Sequence, residues 1–150
     1  MNRQPSAANP QLQAPNHDVL YLAWYEVGRT RLRRRTEQGF EVDCKRGYGQ
    51  CFQDGERLRT TANTEALVHI NPCVCICLNE ADLPTIGSFC YDVGNRHLPI
   101  FAFEDGIAVA YDARLYEALR LKYGSKISLQ DKVLSPSSKI NSPRAATTKA

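Results

Sequence analysis

The apolar pattern changes character at Asn71-Pro72, and that change most restricts what the chain can fold into. Before it, short apolar or alternating segments follow one another at close spacing: residues 19–27, 29–36, 40–44, 56–60 and 66–70. Gly28, Glu37-Gln38-Gly39, Gly47, Gly49 and Asp54-Gly55 separate them. Period-two alternation between turn residues reads as strands, and five of them in so short a stretch predict a small all-β, sandwich-like unit. After Asn71-Pro72 the period switches. Residues 73–78 read as a strand. Asp82 then offers an N-cap with Pro84 in the first turn, and Leu83, Ile86, Cys90 and Val93 fall at helical spacing. Gly94 is the expected stop. Residues 98–103 and 107–111 read as strands across the turn Glu104-Asp105-Gly106. Asp112 caps a second helix with Leu115, Ala118 and Leu119 on one face and Gly124 at its end. Residues 126–134 close the series, with Ile127, Leu129 and Val133 as the apolar stripe. The order β-α-β-β-α-β predicts a ferredoxin-like unit. The class expected is therefore α+β: an N-terminal β-rich domain over 17–71 and a ferredoxin-like domain over 72–135. Residues 1–16 and 136–150, rich in Pro, Ser, Asn and Ala, read as a disordered leader and a disordered tail.

Composition narrows the class. No run of 18 apolar residues exists, so no transmembrane helix is expected. The first residues lack the apolar segment of a secretory signal. A formal net charge of +3 is too small to imply nucleic acid. Six cysteines without an export signal read as reduced thiols, and none forms a C-x-x-C pair. The expectation is a cytoplasmic protein.

Candidate functional residues are few. His17 stands at the edge of the leader, and His69 alternates within an expected strand. His97, in Gly94-Asn95-Arg96-His97, sits where a helix hands over to a strand, a rigid place from which to project a side chain. One imidazole cannot make a metal site, but a second chain can supply the missing ligands. Cys73, Cys75 and Cys77 share one face of a strand. Thiols two residues apart are separated by roughly 6.5–7 Å along it, whereas two thiolates on one zinc ion lie nearer ~3.8 Å. Buried, inert cysteines are the expectation. Arg29, Arg31, Arg33 and Arg35 alternate onto one strand face beside Arg34, with Glu26, Glu37 and Glu41 nearby. No aromatic ladder accompanies them. No nucleophile elbow, zincin motif or P-loop is present, and no enzyme is expected.

The segment FCYDVGNRHLPI, residues 89–100, resembles the signature of the UreE family of urease accessory proteins. Phe89, Cys90, Tyr91, Val93, Gly94, Asn95, Arg96, His97 and Pro99 all fit it. Residues 28–42 are similar to that family's basic hairpin, 54–58 to the turn after it, and 115–124 and 132–140 to the end of its second domain. The resemblance implies a β-rich domain followed by a ferredoxin-like one. It also implies a homodimer through the second domains, with Ni(II) held as cargo by His97 of both chains. The function so implied is a nickel metallochaperone for urease metallocentre assembly, working with the urease apoprotein complex and its accessory GTPase. Zn(II) or Cu(II) is expected to compete in vitro. This chain departs from many members at Tyr111-Asp112-Ala113-Arg114, where a histidine is absent, and no histidine follows His97. The alternative reading is an interaction adaptor that uses the arginine-rich hairpin and binds no metal.

Overall fold

The computed structural model describes residues 17–140; the leader expected over 1–16 and residues 141–150 lie outside the described residues. Five strands form in the first half: β1 (Asp18–Leu22), β2 (Arg31–Arg35), β3 (Glu41–Lys45), β4 (Arg57–Arg59) and β5 (Glu65–Ile70). β1 runs parallel to β5, β4 pairs antiparallel with β5, and β2–β3 is a separate antiparallel hairpin. Alternation decides which face is buried. Leu20 and Leu22 of β1, Leu32 of β2, Val42 of β3 and Val68 and Ile70 of β5 meet in one core around Phe52.

The first expected strand is cut short. β1 ends at Leu22, and Trp24–Glu26 form a single 3-10 turn. The cause is Glu26. Its buried carboxylate accepts the Ala23 N–H at 3.0 Å and pairs with the Arg34 guanidinium on β2. A carboxylate at that depth needs a cation and N–H donors; the turn brings it to the Ala23 N–H, and β2 supplies Arg34. The turn also carries Trp24 across to Phe101 of the second half, with ring centroids 6.1 Å apart.

The second half contains β6 (Cys73–Leu78), α1 (Leu83–Gly94), β7 (Phe101–Phe103), β8 (Gly106–Ala110), α2 (Ala113–Tyr123) and β9 (Ile127–Lys132). The sheet order is β7-β8-β6-β9, with every pair antiparallel. The α+β class expected from the sequence holds. β6 is central, which explains its unbroken apolar run. Ile76 and Leu78 pack in one core with Phe89 and Val93 of α1 and Leu115, Leu119 and Tyr123 of α2. Cys75 and Cys77 pack in another with Phe101, Ala108 and Leu134, against which Trp24 rests. The two halves therefore meet across the helix-free face of the sheet.

Both expected N-caps form. The Asp82 carboxylate accepts the Thr85 N–H at 3.0 Å, and that of Asp112 accepts the Leu115 N–H at 2.9 Å. Asp112→Ala is expected to destabilise the fold by about 1 kcal/mol, read as a lower urea midpoint at unchanged slope. An unchanged midpoint would mean that water satisfies the first turn of α2 equally well.

β9 departs from its expected stripe. Leu129 is 43% exposed, and Val133, past the strand's end, packs into the N-terminal core instead. The chain stays paired past residue 135. Pro136–Ser138 form a 3-10 turn, and the Ile140 N–H donates to the Ile100 carbonyl at 2.8 Å.

Candidate functional site

The end of α1 determines where His97 stands. Gly94, the expected stop, is the last helical residue, and Asn95 takes the cap position. The Asn95 N–H donates to Tyr91 O, the Arg96 N–H to Val93 O and the His97 N–H to Gly94 O, at 3.0, 3.1 and 3.0 Å. The winding tightens and closes on His97, whose φ is +57°. The left-handed residue of this stop is thus the histidine and not the glycine. His97 does not open a strand as expected, because β7 begins four residues later, at Phe101. A non-glycine residue in this region carries strain of order 1–3 kcal/mol, and such strain gathers at functional sites. The imidazole is exposed, on a turn braced behind by α1 and ahead by the buried Ile100.

The turn rests on a polar clamp that the sequence pattern did not announce. Asp92, in the last turn of α1, accepts from the Tyr123 hydroxyl at 2.7 Å and from Lys122 Nζ at 2.9 Å, both on α2. Ser88, one turn earlier, lies 2.8 Å from the same hydroxyl. The Tyr123 bond, and then the Lys122 bond, hold the Asp92 carboxyl below its ordinary range. The clamp's contribution is present above the unfolded carboxyl's pKa and is lost as pH falls through the lowered folded value. An open cavity of about 330 Å³ lies beside it, lined by Asp92, Asn95, Arg96, Ala118, Leu119 and Lys122. The spacing of Ser88 and Asp92, one helical turn apart, was the available signal, but their partner lies more than 30 residues on.

The other expected residues are elsewhere. His69 is on β5, its ring 5.4 Å from that of Tyr21 and edge-on to it, and His17 precedes β1. Cys90 packs against the helix core, and burial raises its thiol pKa, the opposite of an activated nucleophile. Among the described residues, no group of three or more His, Cys, Asp or Glu side chains gathers to hold a metal.

The arginines are largely paired. Arg29 lies outside β2 and is 3.6 Å from Glu26, so three and not four guanidiniums alternate along one strand face. Of these, Arg31 pairs with Asp43, and Arg33 with Glu41 and Asp43. Arg34 turns to the opposite face and pairs with Glu26. The spacing expected for the cysteines needs correction. Cys73 Sγ and Cys75 Sγ approach to 3.8 Å, because rotation about χ1 leans the two sulfurs together over a longer backbone separation.

No family model matches the chain. Individual relatives do. It is 34% identical over 102 residues to the urease accessory protein UreE of Acetivibrio thermocellus, covering 68% of this chain and 67% of that one. The protein of the same name from Actinobacillus pleuropneumoniae is 32% identical over 109 residues, covering 69% and 56%. That of Haemophilus influenzae is 30% identical over 105 residues, covering 66% and 54%. The matched segment thus spans two thirds of the first relative and just over half of the other two. No helix among the described residues is long and apolar enough to cross a membrane. With an exposed histidine in the turn that ends the first helix of its second half, and with this degree of identity, the chain belongs to the UreE family of urease accessory proteins.

Proposed function

We propose that this chain is a nickel carrier that delivers Ni(II) for assembly of the urease metallocentre. The ion is held between His97 of one protomer and His97 of a second copy in a homodimer. The observation that carries the reading is the exposed imidazole on a left-handed turn at the end of a braced helix. Neutral imidazole suits Ni(II), and a site with only two protein ligands keeps positions open for water and for an acceptor's ligands. Release then proceeds by ligand exchange, without tearing down a closed shell. The carrier works in the cytoplasm, hands its ion to the urease apoprotein complex together with the accessory GTPase, and catalyses no reaction of its own. Zn(II) and Cu(II) compete for the site in vitro, Cu(II) most strongly. The adaptor reading is disfavoured by the hairpin itself, where Asp43, Glu41 and Glu26 already occupy Arg31, Arg33 and Arg34.

Stoichiometry tests the shared site. Light scattering is expected to give a dimer, and isothermal titration about one tightly held Ni(II) per two chains, since among the described residues no group of three or more His, Cys, Asp or Glu side chains gathers within one chain. A monomer that takes up one Ni(II) per chain would defeat the shared site.

A further inference from the structure

We propose that Cys73 and Cys75 form a second metal site on this chain, a two-thiolate seat for a soft monovalent ion, Cu(I). The site stands on its own observations and does not depend on the nickel reading. The two sulfurs are 3.8 Å apart at the start of the central strand. With metal–sulfur bonds of about 2.3 Å, sulfurs at that distance flank one ion in a bent arrangement. A linear one needs them to part by only roughly 0.8 Å on the same bond length.

Coordination number selects the ion. Among the described residues no third His, Cys, Asp or Glu completes a group around the pair. Cys77, next on the same face, directs its thiol to the Cys75 carbonyl at 3.9 Å. Structural zinc takes four ligands and nickel at least as many. A thiolate pair supplies only half of a structural zinc's ligands and none of the imidazole that suits Ni(II), but it satisfies Cu(I), which thiolates favour by softness.

The surroundings fit a compact, low-charge complex. Cys75 is fully buried in the seam formed by Phe101, Ala108 and Leu134, while Cys73 is half-buried and offers the way in. Loading is written as two thiols plus Cu(I) giving a bis-thiolate complex of charge −1 and two released protons. No electron is transferred. Lys132 lies directly opposite Cys73 in the β6–β9 register, interacts electrostatically with Cys75 and Cys77, and is held by Asp105 at 2.8 Å. Asp131 is the acid that opposes ionisation of Cys73. Burial pushes the Cys75 thiol up to about 12 and raises that of Cys73. Loading has to displace both thiol protons, which favours an ion with strong thiolate affinity.

The test is anaerobic titration of the reduced full-length protein with Cu(I) against a chromogenic Cu(I) chelator. Wild type is expected to take one Cu(I) per chain in competition with the chelator. Cys73→Ser is expected to weaken that binding at least tenfold, whereas Cys90→Ser and His97→Ala leave it unchanged. Cys73 carries the test because it is half-buried, and circular dichroism verifies that the variant folds. Copper K-edge absorption of the loaded wild type is expected to show two sulfur neighbours and no nitrogen. Equal Cu(I) affinity in wild type and Cys73→Ser, or a nitrogen shell lost on His97→Ala, would overturn the site. Ni(II) titration of the Cu(I)-loaded protein separates the two readings. Unchanged nickel binding is expected, and displacement of one ion by the other would show that there is a single site.

Discussion

His97→Ala removes high-affinity Ni(II) binding, with an expected loss of roughly a hundredfold or more, since even the outer partners of a metal ligand are worth 10–100-fold. In the shared site one substitution deletes both protein ligands of the ion, so the effect is larger than that of a single ligand. The backbone at residue 97 has φ +57°, where histidine and alanine alike cost roughly 1–2 kcal/mol relative to glycine. His97→Gly removes the ligand and the strain together. Glycine accepts that φ without strain, so this variant is expected to be at least as stable as wild type by thermal denaturation and still to bind no nickel tightly. If His97→Gly retains the affinity of wild type, the ion is held elsewhere and the carrier reading loses its ligand.

Much of this architecture was legible in the residues, because alternation and helical spacing report on burial, and burial is local. β2 to β5 and both helices lie where the apolar periods placed them. What escaped has a common cause. The 3-10 turn at Trp24–Glu26 exists because Glu26 is buried against Arg34, eight residues away on another strand. No reading of 19–27 alone contains that partner. The parallel pairing of β1 with β5 is likewise a product of the whole core and not of either strand. At the candidate site, residue identity was legible and backbone geometry was not. Glycine is the usual left-handed residue at a helix end, so Gly94 was the natural choice. Here the chain makes two more tightened turns before reversing, and His97 takes the strained position. The cysteine pair failed for a simpler reason. Strand rise sets the distance between Cα atoms, whereas ligation depends on sulfurs that χ1 can swing together.

Gly106→Ala is expected to destabilise the second half by roughly 3 kcal/mol or more, from two costs that act together. The residue follows the two-residue turn Glu104-Asp105 between β7 and β8, with φ +140°, a conformation that L side chains rarely adopt. A Cβ placed there would stand 2.4 Å from the Leu78 carbonyl oxygen. That oxygen cannot yield cheaply. Leu78 is fully buried, and β6 is paired on both sides, with Ile107 and with Ile127 at this position. Relief must come from the β7–β8 hairpin, which leads directly out of the turn that carries His97. Gly39→Ala is the control, because φ there is +90° but nothing lies within 4 Å of the added carbon. It bears the conformational cost alone, and is expected to lose about 1 kcal/mol. Chemical denaturation of both variants reads the difference. Equal losses at the two positions would mean that the Leu78 carbonyl moves aside, and that the close approach of β6 to the hairpin contributes nothing to holding the histidine's turn in place.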